Sequence, residues 1–375
     1  LRAVENGQHP VLSLYLGLRP EIDELRSVPA RLKELLAPIK ATLDGRPRPQ
    51  AMSLRADIDA VLAMTDRIGS DIGRGVAICR SSGDGLDEYV SLPVSVRDRA
   101  LVGVRPYLQP IDALLERLRP YAIVVVERGT STFFRTQMGR VTPWGVIEDE
   151  ALRKANYGGF GGYEERRTRA HADTLAQRHY RDTAERLRTQ LEAERYELLV
   201  IGGSAEHVEG LVAELAPPVV GRLAGTFTID PHTMTPATVT PHYERLAAEH
   251  DQAHETEIVV DLMERHGDGR PAALGLAAVL EAVNQRAVDS LVLRGGPTLG
   301  GGRCAECGWL SEGTVGSCRA CGRPVVAVAD LLDEMAVAVR LAGGRVEYIL
   351  GDAAMGEHRI GAQLRFAVSS VAVGG

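Results

Sequence analysis

Two Cys-x-x-Cys pairs, Cys304 with Cys307 and Cys318 with Cys321, stand in the segment GGRCAECGWLSEGTVGSCRACGRP. Two residues between cysteines let both thiolates face one tetrahedral ion. Gly308 and Gly322 permit the turns around it. Zinc, Zn(2+), is the expected occupant. Four thiolates leave no open coordination position, so the ion is expected to be structural and its removal to unfold this insert first. Disulfides are the alternative, disfavoured because nothing in the sequence suggests export. The fifth cysteine, Cys79, lies in the apolar run GVAIC and is expected in a core.

Around the insert, strand-like and helix-like runs alternate, which implies an α/β protein. Three domains are expected, each a mixed sheet with helices, the third carrying the zinc insert at 300–324. The first spans 1–118, with a buried strand at VLSLYL and helical patterns near 28–44 and 53–68. The second spans 119–267. It begins with the strand YAIVVVERG, continues through STFFRTQMGRV as one further strand, and carries a long helix near 164–194 and another near 242–265. In ELLVIGGS, Ser204 is placed to cap the helix that follows. The third spans 268–375, opening with the helix AALGLAAVLEAVNQ and closing with the strand IGAQLRFAV.

The 375 residues suffice for such a division, and a 45% hydrophobic content suffices for its cores. No apolar stretch approaches the length of a membrane span, and the N-terminal residues do not read as a signal peptide. A cytoplasmic location is therefore expected, with no membrane partner. The net charge of −7 argues against a general nucleic-acid coat, though not against a local basic surface. Only three residues are lysine, so nearly all positive charge is arginine. A GC-rich genome accounts for that bias; phosphate recognition would also use it.

The densest arginine run follows the most flexible backbone. In YGGFGGYEERRTR, Gly158, Gly159, Phe160, Gly161, Gly162 and Tyr163 precede Arg166, Arg167 and Arg169. Arg178 and Arg181 follow at helical spacing, with His171 and His179 expected on a surface or RNA-facing side. A solvated helix with ion pairs to Glu164, Glu165 and Asp173 is one reading. The other is a loop of small residues that approaches folded RNA closely, backed by arginines on its phosphates. Other glycine clusters carry weaker signals. IGGSAEHVEG reads as an ordinary strand–helix turn, and RGGPTLGGG as a hinge for the insert. No nucleophile elbow, zinc-protease motif or paired-carboxylate spacing is present.

GGYEERRTRAHADTLAQRHYRDTAERL resembles the central domain of the archaeal and eukaryotic class-one peptide release factors. That family's pattern is Gly-Gly-Gln, a small residue, paired arginines, then an aromatic–Tyr pair. These positions fall on Gly161 and Gly162, on Arg166 and Arg167, and on His179 and Tyr180. The resemblance covers roughly 120–370 and takes in the four-cysteine insert; the first block looks like the bacterial branch of the superfamily. It implies a 70S ribosome partner, with the glycine loop contacting ribosomal RNA at the A site and peptidyl transferase centre. Two departures stand out. Tyr163 occupies the position of the catalytic Gln, and the family's Asn-Ile-Lys-Ser codon-reading motif is missing. No catalytic residue is therefore expected. The pattern is similar to superfamily members that silence ribosomes, one of them delivered with elongation factor Tu beside a P-site tRNA. The alternatives are a release or rescue factor that hydrolyses peptidyl-tRNA, its water oriented by backbone amides, and an RNA-binding protein with another RNA target.

Overall fold

A computed structural model describes residues 8–18, 24–149, 162–193, 196–314, 316–351, 353, 355–356 and 358–368; along 24–25, 162–170 and 172 it describes the backbone alone. The first elements are β1 (Val11–Gly17), α1 (Glu24–Lys40), α2 (Arg48–Ala63), α3 (Thr65–Gly69), β2 (Gly75–Ser81), β3 (Leu86–Leu92), β4 (Arg99–Gly103) and α4 (Gln109–Arg117). Next come β5 (Tyr121–Val126), β6 (Thr130–Gln137), β7 (Arg140–Glu148), α5 (Gly162–Ala193), β8 (Leu198–Gly203), α6 (Ala205–Ala213), α7 (Pro217–Val220), β9 (Leu223–Thr228) and α8 (Pro236–Gly267). The chain ends in β10 (Ala272–Leu274), α9 (Leu276–Asn284), β11 (Val288–Arg294), β12 (Gly301–Cys304), β13 (Leu310–Ser311), β14 (Val325–Val328), α10 (Leu331–Leu341), β15 (Arg345–Ile349) and β16 (Ile360–Leu364).

The architecture is mixed α/β, as expected. The chain separates into two compact units, Leu114–Glu257 and a second that joins the residues up to Ala113 with those from Ile258 onward. STFFRTQMGRV is a hairpin and not one strand: Met138 and Gly139 both take positive φ between β6 and β7. AAL at 272–274 is likewise a short strand, with the helix starting only at Leu276. Gly275, at φ +81°, separates the two, a backbone conformation that suits glycine.

In the Leu114–Glu257 unit the sheet runs β7-β6-β5-β8-β9, with β5, β8 and β9 parallel. YAIVVV is buried at every position because helices cover both faces. Alternation sorts it. Ala122, Val124 and Val126 face a stripe on α5 made of Ala176, Tyr180, Ala184, Leu187 and Leu191. Tyr121, Ile123 and Val125 face Val239, Tyr243 and Leu246 of α8.

In the other unit, β3-β2-β1-β4 form an antiparallel sheet under α1 and α2. A second sheet, β10-β16-β11-β15, packs against α9 and α10. Polar side chains tie these parts together. The Tyr107 hydroxyl donates to Asp330 at 3.0 Å, and Arg340 Nη1 lies 2.5 Å from Asp112. Arg105 Nη2 sits 2.8 Å from Asp333 and 3.1 Å from Glu334, all three buried to within a tenth of their side-chain surface.

Burial pushes the Asp333 carboxyl up to about 6 despite the Arg105 guanidinium beside it. An unfolded Asp titrates near ~3.9. A raised folded pKa favours folding of the protonated form. That contribution is complete below about pH 4 and is lost as pH rises through about 6. Asp333→Asn is therefore expected to leave Tm unchanged at acidic pH. Above neutrality it should stabilise by up to about 3 kcal/mol, by the ~1.4 kcal/mol per pKa unit rule. Thermal melts at both pH values check this; a Tm lowered equally at both would show that pairing with Arg105 outweighs burial.

Candidate functional site

The four cysteines of the insert converge. Their sulfurs lie within 4.8 Å of one another, with Cys304 to Cys321 and Cys307 to Cys318 both at 3.5 Å. A disulfide needs about 2.05 Å. Four thiolates at ~2.3 Å from one tetrahedral ion would stand about 3.8 Å apart, which these spacings match. Each Cys-x-x-Cys is closed by the same turn. The Gly308 N–H donates to the Cys304 carbonyl at 3.0 Å, and the Gly322 N–H to the Cys318 carbonyl at 2.8 Å. Both glycines have φ near +74°, the left-handed region expected of them. The Cys307 backbone N–H holds the Cys304 thiol down at about 6, so a thiolate is ready for a cation near neutrality. Four soft sulfur donors in a closed tetrahedron could hold one metal ion.

The segment before the insert is not a hinge. Gly301 and Gly302 are buried in β12, at the centre of the sheet β13-β12-β14. Asn284, at the end of α9, fastens this sheet to its domain. Its side-chain amide donates to the Leu310 carbonyl at 2.9 Å, and its oxygen accepts from the Leu310 N–H at 2.9 Å. One side chain thus pairs with the edge of β13 as a strand would. No motif flags such a residue in the sequence.

Of the glycine loop, Gly158, Gly159, Phe160 and Gly161 lie outside the described residues. Gly162, Tyr163, Arg166, Arg167 and Arg169 fall in the first turns of α5, whose side chains there are likewise outside them. Further along, the helix is described in full. Arg178 stands 3.9 Å from Asp182, and Arg181 Nε donates to Glu214 at 3.1 Å. Asp173 pairs with Arg128 of the β5–β6 turn at 2.7 Å and not within its own helix. His171 is exposed.

His179 differs from expectation: it is 1% exposed. Its Nε2 lies 2.9 Å from Ser131 Oγ, which in turn lies 2.9 Å from Thr183 Oγ1. Burial lowers its pKa and keeps the ring neutral. Tyr180 is buried too, its hydroxyl 2.8 Å from His207 Nδ1. The aromatic–Tyr pair therefore fixes α5 to its sheet and does not face outward. The polarity of His179 hid this, because Ser131 lies 48 positions away in sequence.

In IGGS the glycines serve packing. A Cβ at Gly202 would lie 2.4 Å from the Phe227 ring, and one at Gly203 2.4 Å from the Val126 carbonyl. Ser204 stands at the N-cap of α6 but its side chain makes no capping hydrogen bond. No phosphate cradle is formed. Among the described residues, no helix is long and apolar enough to cross a membrane.

Comparison with known proteins places these features. Residues 106–248 match the profile of bacterial archaeo-eukaryotic release factor family 10. No curated protein matches by sequence. Among solved structures, the archaeal translation termination factor aRF1 is 16% identical with a TM-score of 0.25, over 95% of this chain and 92% of its own. Archaeoglobus fulgidus Pelota is 15% identical with a TM-score of 0.34, over 78% and 85%. A ribosome-bound archaeal Pelota, solved with ABCE1, is 17% identical with a TM-score of 0.44, over 76% and 73%. None of the three superposes closely, and no residue role is taken from them. Through the domain at residues 106–248, this chain belongs to the release-factor-like superfamily, in its bacterial archaeo-eukaryotic branch.

Proposed function

We propose that this protein is a ribosome hibernation factor that occupies the A site of idle 70S ribosomes. The glycine loop would reach toward the peptidyl transferase centre without hydrolysing peptidyl-tRNA. One observation carries the reading: a domain of the release-factor family has Tyr163 where the family's Gly-Gly motif is followed by Gln. A phenol has no amide with which to hold water against an ester. Gly158, Gly159, Gly161 and Gly162 permit close approach to RNA, while Phe160 and Tyr163 offer flat faces to unpaired bases. Arg166, Arg167 and Arg169 supply phosphate contacts that a net charge of −7 would otherwise lack. In this respect the chain resembles Balon, and elongation factor Tu and a P-site tRNA are the proposed partners. Zinc, in a structural role, is the proposed occupant of the four cysteines, since a closed sulfur tetrahedron leaves no position for substrate.

Co-sedimentation tests the binding. The protein is expected to pellet with vacant 70S ribosomes and to be displaced by A-site tRNA. Pelleting that persists unchanged under saturating A-site tRNA would exclude this placement.

A further inference from the structure

A groove of about 380 Å³ lies outside the proposed RNA contacts, between β4 with its following loop and β14 with α10. Its walls are unusual in composition. Residues 101–105 line it consecutively, and so do residues 326–330. A strand that shows its face contributes every second residue; only an edge contributes neighbours in sequence. Topology agrees, since β4 ends the sheet β3-β2-β1-β4 and β14 ends β13-β12-β14. Beyond the β1–β4 and β12–β14 ladders, no backbone hydrogen bond among the described residues ties down 100–105 or 326–329.

Exposed strand edges are normally blunted by lysine, proline or a bulge. RALVG and VVAV contain neither residue, and neither ladder shows a register shift. The groove is rimmed instead by Val104, Val326 and Leu341, which are 50%, 47% and 72% exposed. Charge completes the pattern. Asp330, Asp333 and Glu334 line the groove against only Arg105 and Arg303, which leaves one carboxylate in excess.

We propose that this groove binds an extended segment of a partner protein by strand addition. The segment's backbone pairs with the β4 and β14 edges. Alternate apolar side chains rest on Val104, Val326 and Leu341, and one basic side chain lies over Asp333 and Glu334. Main-chain hydrogen bonds give such sites affinity, and alternate side-chain pockets give them specificity.

The test uses the full chain and a fluorescein-labelled octapeptide alternating valine with threonine and bearing one central lysine. Saturable binding below about 100 µM is expected, with slowed amide exchange confined to 100–105 and 325–330. N-methylation of alternate peptide amides should weaken binding at least about tenfold by removing main-chain donors. Glutamate in place of the lysine should weaken it similarly. Both changes are made in the peptide, so the protein's folding is not at issue. Absence of binding, indifference to N-methylation, or protection elsewhere would overturn the proposal. So would a concentration-dependent dimer protected at these same amides, which would make a second copy of the chain the occupant.

Discussion

Serine in place of Cys304 is expected to lower bound zinc from about one per chain to near zero and to unfold the insert. The module has little else to hold it. Its strands have four, two and four residues, well below what a sheet needs to stand alone. The buried side chains between 303 and 324 are Cys304, Leu310 and Cys318, so two of the three are ligands themselves. Metal binding here is folding energy, of order 10 kcal/mol in small thiolate sites. The chain has two tryptophans, Trp144 and Trp309, and only Trp309 lies in the insert. Its carbonyl accepts from the Cys304 N–H at 2.8 Å, so its surroundings report on the turn. Elemental analysis with tryptophan fluorescence checks the expectation. A zinc-free Cys304→Ser protein with the unaltered emission of a folded insert would contradict it. The Leu114–Glu257 unit should keep its far-UV signal, since its cores contain no residue of the insert.

The second large effect concerns α5. Changing Arg166, Arg167 and Arg169 together to Ala is expected to weaken ribosome binding by about 10²–10³-fold at moderate salt. The slope of log affinity against log salt should flatten by roughly 2–3, close to one released counterion per phosphate contact. The same helix contains its own control. Arg178 and Arg181 are engaged by Asp182 and Glu214, so their replacement should change the slope little. Filter binding across a salt series gives both numbers. Equal slopes for the triple variant and the unaltered protein would assign these arginines to solvating a helix.

Legibility varied with how local the cause was. YAIVVV and ELLVIGG were readable as buried strands because a run of β-branched residues has few other uses. The cysteine site was readable down to the role of Gly308 and Gly322, since ligand spacing and turn chemistry lie within a few residues. Long-range pairings left no such trace. His179 looks like a surface residue until Ser131 arrives from a strand far away in sequence. Gly301 and Gly302 look like a hinge until β13 and β14 close on either side. Asp330, Asp333 and Glu334 look like a solvated helix start, yet Tyr107 and Arg105 bury them.

Peptide release on loaded ribosomes tests the central claim most directly. Purified 70S ribosomes carrying peptidyl-tRNA in the P site are mixed with the protein, and freed peptide is measured against a factor-free control. The expected result is binding with release at the background rate, because Tyr163 offers no amide to orient water. Replacing Tyr163 by Gln tests the same point from the other side: any gain in release would come from the restored amide. Release by the unaltered protein well above background, abolished by changing Gly161 or Gly162, would contradict the hibernation reading and make this chain a peptidyl-tRNA hydrolase.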